Sequence, residues 1–212
     1  MRYQAVIFDL DGVICHTDEY HYLAWKKVAD ELNIHFDKNI NNQLRGVSRM
    51  ASLEIILSLY PKQLTQEDKK HYAQVKNEYY RELLESMSPG DEYLEVKDTL
   101  ELLKSKGILL AIGSSSKNAR YILQRIGLTE YFTAISDGNN ITHSKPHPEV
   151  FLRASEYLGV EPTTCLVVED AKAGVEAAIC ANMDCAAIGD GVNHLNATYK
   201  LNSFSDLLPI LF

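Results

Sequence analysis

Ala5-Val6-Ile7-Phe8-Asp9-Leu10-Asp11-Gly12 decides the reading of this chain. A short apolar run, the pattern of a buried strand, stops abruptly at two carboxylates and a glycine. Cys165-Leu166-Val167-Val168-Glu169-Asp170 repeats the design near the other end. Two buried strands that both finish in paired acids predict one acidic cluster at the carboxyl edge of a parallel sheet. That edge is where open α/β folds place their ligands. In extended chain, residues i and i+2 project to one face about 7 Å apart. Asp9 and Asp11 therefore share a face while Leu10 turns into the packing. One acid of such a pair can attack an electrophile and bind a cation, and the other can move a proton. A strand-end turn with an aspartate capping a helix satisfies the same string. An EF-hand does not, because the other acids of its loop are missing.

Working outward, apolar β-rich runs predict further strands at residues 108–112, 134–136, 165–168 and 185–188, the first strand at 4–8, and a weaker sixth near 199–204. Helical patterns at 118–126, 147–158 and 171–181 alternate with them. Gly107, Gly127 and Gly159 each follow a helical stretch as C-terminal stops, and Pro146 and Pro148 fit the entry of the 147–158 helix. Alternation of this kind predicts an α/β fold, a doubly wound, Rossmann-like parallel sheet. Residues 17–86 break the alternation with helical patterns alone, at 19–32, 50–59 and 66–85. The expectation is an inserted cap of four short helices at 16–87, with the catalytic core at 1–15 and 88–212. A cap rooted beside an acidic cluster can exclude water and select substrate.

The bulk properties exclude several classes. With 212 residues and a net charge of −8, the chain has no overall attraction to nucleic acid or an anionic membrane. An anionic ligand would need local positive charge. Cys15, Cys165, Cys180 and Cys185 contain no C-x-x-C pair and no cysteine–histidine spacing that fits zinc. Reduced cysteines, a start that runs straight into a strand, and no apolar stretch near the roughly 18 residues of a membrane span predict a cytoplasmic protein; a monomer is expected, with no residue pattern behind it.

Two more clusters and a single lysine carry chemistry. Ser114-Ser115-Ser116-Lys117-Asn118 falls at a strand-to-helix junction, where hydroxyls and backbone N–H groups suit phosphate oxygens; a serine N-cap explains it equally. Lys145 precedes a helix start, where a solvated lysine is also ordinary. Glu169 and Asp170 offer oxygen donors of the kind Mg²⁺ takes, or an acidic start to the following helix.

In chain order, the strand-end Asp-x-Asp, the serine-rich strand end, the lysine and the strand-end Glu-Asp resemble the four motifs of the haloacid dehalogenase superfamily, and the resemblance covers the whole chain. Thr17, His21 and Trp25, the run Leu44-Arg45-Gly46-Val47-Ser48-Arg49, the pair Lys76-Asn77, and Ser114 to Asn118 are similar to its β-phosphoglucomutase branch. Ser115, Met50-Ala51 and Ala171 depart from the usual residues of that branch without removing a charged group assigned to the site.

The resemblance implies roles residue by residue. Asp9 becomes a phosphoaspartate, and Asp11 is the general acid and base. Mg²⁺ is held by the Asp9 carboxylate, the Asp11 carbonyl, Asp170 and the surroundings of Glu169. Ser114 and Lys145 neutralise the transferring phosphoryl group. Arg49, Ser116, Lys117 and Asn118 hold a second phosphate, with Gly46, Ser52 and Ser115 beside the substrate. Thr17, His21 and Lys76 assist from the cap, and Trp25 shapes the interface over the sugar. The implied reaction interconverts β-D-glucose 1-phosphate and glucose 6-phosphate, with β-glucose 1,6-bisphosphate as the priming intermediate. A sugar-phosphate phosphatase using the same nucleophile is the alternative, and a non-enzymatic sugar-phosphate sensor is a third.

Overall fold

The computed structural model describes residues 2–212. Strands β1 (Ala5–Phe8), β2 (Leu109–Gly113), β3 (Ala134–Ser136), β4 (Cys165–Glu169), β5 (Asp184–Ala187) and β6 (Tyr199–Lys200) form one sheet in the order β3-β2-β1-β4-β5-β6. All neighbouring pairs are parallel, with Phe8 level with Ile112 on one side and with Val168 on the other. β2 and β3 are laid down on one side of β1, and β4 to β6 on the other. The order reverses between β1 and β4, which opens a crevice at their carboxyl ends.

The two-residue period of the strands feeds two cores. Val6, Phe8, Leu110, Ile112, Leu166 and Val168 point to one face, where they meet α5 (Val96–Ser105) and α6 (Ala119–Arg125). Ala5, Ile7, Ala111, Cys165, Val167 and Cys185 point to the other, against α7 (Glu149–Leu158) and α8 (Lys172–Cys180). Each fully buried Val, Leu, Ile or Phe side chain contributes roughly 1.5–3 kcal/mol of hydrophobic stabilisation before entropy is counted. Phe8, stacked on Phe204 at 5.5 Å and edge-on to Phe132 at 6.2 Å, anchors the strand that carries the first acids.

The expected limits shift by small amounts. The first strand begins at Ala5, the second runs to Gly113, and the sixth shrinks to Tyr199–Lys200. The helix expected from residue 147 starts at Glu149: Pro148 takes the N-cap, and Pro146 lies in the turn before it. The stretch ahead of Gly107 is α5, whose Val96, Thr99, Leu100 and Leu103 share one buried face. Gly107, Gly127 and Gly159 all have φ between 69° and 79°, the left-handed turn that a helix stop needs. The four cysteines are free thiols.

Between β1 and α5 lie four helices: α1 (Asp18–Glu31), α2 (Lys38–Asn42), α3 (Arg49–Leu57) and α4 (Gln66–Leu84). A reciprocal Thr65–Asp68 box starts α4, and Ser48 and Asp37 cap α3 and α2. Trp25, Val28, Leu32, Leu53 and Ile56 give these helices a core of their own. Ala24, Tyr80, Leu84 and Met87 instead join the core of the sheet, which ties the insert down at its root. There Tyr93 donates its N–H to the Ile14 carbonyl at 2.9 Å, and the Arg125 guanidinium donates to the Met87 carbonyl at 2.7 Å. The remaining helix, α9 (Leu208–Leu211), closes the chain. No helix among the described residues is long and apolar enough to cross a membrane.

Candidate active site

Asp9 follows β1 directly, and its N–H donates to the Val168 carbonyl at 2.9 Å, so the ladder itself sets its position beside β4. Glu169 ends β4 and Asp170 comes next. Lys145 reaches this edge from the turn before α7. Its ammonium donates to Asp9 Oδ1 at 2.6 Å and to Glu169 Oε1 at 2.5 Å, with no side-chain exposure. Glu169 also accepts the Ala171 N–H at 2.9 Å.

Donor oxygens of Asp9, Glu169 and Asp170 lie within 4.8 Å of one another, all buried. Burial pushes the Asp9 carboxyl up to about 7, with Lys145 pulling it back and Glu169 and Asp11 adding to the rise. Burial, Glu169 and Asp9 lift the Asp170 carboxyl well above its ordinary value, against the pull of Arg45. The cluster holds more negative charge than Lys145 offsets, and every donor is a hard oxygen. That set suits Mg²⁺. The backbone makes room for it. A Cβ on Gly12, whose φ is 87°, would stand 2.2 Å from Asp170 Oδ2, and one on Gly174 would stand 1.7 Å from Glu169 Oε1.

Asp11 sits at the mouth of this cluster with a different set of partners. The Thr17 hydroxyl donates to Asp11 Oδ1, and His21 Nε2 stands 3.6 Å from the same oxygen. On its far side, His21 Nδ1 meets the Lys76 ammonium at 3.0 Å. Burial raises the Asp11 carboxyl, but His21, Thr17 and Lys76 more than offset it and leave it below its ordinary value. Burial and Lys76 depress the His21 imidazole. Lys76 itself is pushed down to about 7 by burial and by Arg49, against the pull of Asp11. Its ammonium lies 4.0 Å from the Tyr80 ring centre and 5.3 Å from that of Trp25.

Between sheet and insert lies a cavity of about 630 Å³. Asp9, Asp11, Asp170 and the run Ser114–Asn118 line its floor; His21, Trp25, Gly46, Arg49, Ser52 and Lys76 line the opposite wall. Thr17, Lys145 and Glu169 do not line the cavity; they are wholly or almost wholly buried, and Thr17 and Lys145 bond to Asp11 and Asp9, which do. The floor loop is self-bonded: Ser114 Oγ accepts the Ser116 N–H at 3.1 Å, and Ser116 Oγ accepts the Asn118 N–H at 3.2 Å. It also touches the insert, through Ser115 Oγ to the Gly46 carbonyl at 3.1 Å and Asn118 Nδ2 to Asn77 Oδ1 at 2.9 Å. The insert is closed onto the sheet edge.

Arg45 carries the contact that residue reading missed. Its guanidinium pairs with Asp18, with Asp190 at 2.7 Å and with Asp170 at 3.2 Å, joining insert and sheet across the acidic cluster. Its place beside Gly46 and Arg49 was the available signal. Asn77, named in the sequence beside Lys76 but given no role there, is the other residue whose contact comes from the geometry.

The family model described as haloacid dehalogenase-like hydrolase matches residues 6–188. The chain belongs to that family. Within this family of enzymes it is similar to the β-phosphoglucomutase of Bacillus subtilis, 39% identical over 206 residues that cover 96% of this chain and 91% of that one. It is also similar to a phosphorylated carbohydrates phosphatase of Thermotoga maritima, 34% identical over 85% of this chain and 82% of that protein. The crystal structure of β-phosphoglucomutase from Clostridium difficile superposes with a TM-score of 0.92 at 37% identity, covering 97% of this chain and 93% of that one. The haloacid dehalogenase-like fold and the phosphomutase–phosphatase class of activity follow.

Proposed function

We propose that this haloacid dehalogenase-like enzyme is a β-phosphoglucomutase, interconverting β-D-glucose 1-phosphate and glucose 6-phosphate. One observation carries the choice. Arg49 and Lys76 face the cavity from the insert, and neither has a carboxylate within ion-pair distance among the described residues. Burial makes the Arg49 cation costly, as it does that of Lys76. Two desolvated cations without counter-ions are supported by an anion that arrives with the ligand. Hydrolysis of a monophosphate needs one phosphate grip; moving a phosphoryl group between two ends of a sugar needs two.

The chemistry divides accordingly. Asp9 attacks phosphorus through the oxygen that Lys145 leaves free; a carboxylate–phosphorus bond forms and the bond to the sugar oxygen breaks. The proton that Asp11 gives to that oxygen is the one it took, as the ionised carboxylate, from the sugar hydroxyl that received the phosphoryl group of phospho-Asp9 in the preceding half-reaction. Lys145 and Ser114 neutralise the transferring oxygens, while Arg49, Ser116, Lys117 and Asn118 hold the other phosphate. The β-glucose 1,6-bisphosphate turns end for end between the two half-reactions. Mg²⁺, held by Asp9, Asp170, the Asp11 carbonyl and the Glu169 side, supplies further charge neutralisation when bound. Thr17 and His21 fix Asp11, and Trp25, Gly46, Ser52 and Ser115 shape the sugar space. The insert, taken as residues 16–87, acts as a cap that keeps water from the phosphoenzyme.

The test is a ³¹P NMR time course with β-glucose 1-phosphate, Mg²⁺ and a trace of bisphosphate. Glucose 6-phosphate should appear with little free phosphate. Free phosphate as the main product would instead support the sugar-phosphate phosphatase reading, which the T. maritima relative favours.

A further inference from the structure

Outside the cavity, the turn that carries Lys145 is bracketed by His143 and His147, and Glu149 at the start of α7 lies beside both. Donor atoms of the three lie within 4.8 Å of one another. They border a separate, open cleft of about 400 Å³ on the outer surface. His143 Nδ1 is 3.1 Å from Glu149 Oε2, and the two imidazole rings are tilted at 36° with centroids 4.7 Å apart. Glu149 is fixed by the backbone: the Thr142 and His143 N–H groups donate to its two oxygens at 3.0 and 2.8 Å. Those bonds hold its carboxyl below the ordinary range, so it is ionised at neutral pH. His147 Nδ1 accepts the Glu149 N–H at 3.2 Å, so its lone pair is turned toward the same residue. None of the three takes part in the phosphoryl-transfer chemistry.

We propose that His143, His147 and Glu149 form a surface site for a borderline divalent transition metal, represented by zinc, with water completing the shell. Two imidazoles and one carboxylate are a zinc-type donor set and a poor one for Mg²⁺, so the site is chemically separate from the all-oxygen cluster of Asp9, Glu169 and Asp170. Tetrahedral bonds of roughly 2.0–2.2 Å set neighbouring donors about 3.3–3.6 Å apart. The His143–Glu149 pair already stands near that spacing. His147 is exposed and free to rotate into place, and solvent takes over the Glu149 N–H it releases. A bound ion would staple the turn from both sides of Lys145.

The experiment is calorimetric titration of zinc chloride into the whole protein held in saturating Mg²⁺. It is done for the native sequence, the H143A/H147A double variant and Cys180→Ser, which removes the exposed thiol as a rival ligand. One equivalent should bind to the native protein and to Cys180→Ser, with affinity at least about 10-fold weaker in the double variant. Zinc should raise the melting temperature of the native protein and leave that of the double variant unmoved. Cobalt(II) should give a nitrogen/oxygen ligand-field spectrum without a thiolate charge-transfer band. Equal zinc affinity in native and double variant, no saturable binding by the native protein, or a thiolate band would each overturn the site. If the double variant does not fold, His147→Gln supplies the same readout.

Discussion

The two walls of the cavity carry opposite imbalances. On the sheet edge, three buried carboxylates face the ammonium of Lys145 and a longer contact from Arg45, and burial lifts Asp9 and Asp170 above their ordinary range. On the insert, Arg49 and Lys76 are desolvated cations without carboxylate partners, and burial depresses both. One wall is short of positive charge and the other of negative charge. A hard cation at the first wall and a phosphate at the second would relieve both. A ligand with a phosphate at each end of a sugar fits between them better than one with a single phosphate.

The largest break in this contrast comes from the sheet edge. Asp9→Asn should lower turnover by more than about 10⁴-fold, because an amide is a poor nucleophile; steady-state isomerisation rates check it. Asp11→Asn should keep sugar-phosphate binding and slow transfer by about 10²–10⁴-fold. Unchanged turnover in that variant would remove Asp11 from proton transfer. Next comes the insert. Arg49→Ala should cut isomerisation by about 10²-fold while phosphate release falls less, since only the non-reacting phosphate loses a charge-assisted grip. Comparing the two product yields in one assay separates the walls directly.

Per pH unit, the smallest effect is on stability. Lys76 titrates near 7 in the folded protein against roughly 10.4 when unfolded. Between those values the unfolded chain holds the extra proton, so this group's contribution makes stability rise with pH, by at most about 1.4 kcal/mol per unit. Thermal melts of native protein against Lys76→Met from pH 7 to pH 10 should show the native protein gaining on the variant. Bisphosphate affinity should move the opposite way, weakening as pH rises through about 7 and Lys76 loses its charge, with a flatter profile in the variant.

Much of the sheet-edge wall is legible in the sequence. A strand has a fixed period and an abrupt end, so Asp9, Asp11, Glu169 and Asp170 can be placed from local pattern alone. Ser114 and Lys145 sit at junctions between elements, where a serine cap and a solvated lysine are ordinary, and only the order of the four motifs singles them out. The partition of Glu169 is less legible: two of its bonds go to Lys145 and the Ala171 N–H. Arg45 shows why pattern fails elsewhere. Its partners Asp18 and Asp190 are 27 and 145 positions away, and no periodicity encodes such a meeting. A Cβ on Gly174 would collide with Glu169, a close approach between two elements that no local pattern encodes. The shift of α7 from residue 147 to Glu149 has a local cause, since Pro148 takes the cap.

Acid-quenched protein, mixed briefly with β-glucose 1,6-bisphosphate and Mg²⁺ and digested for mass spectrometry, tests the account most directly. A phosphoryl group on Asp9, absent in Asp9→Asn, is the predicted result. A phosphoryl group on any other residue, or turnover with Asp9 never modified, would contradict it.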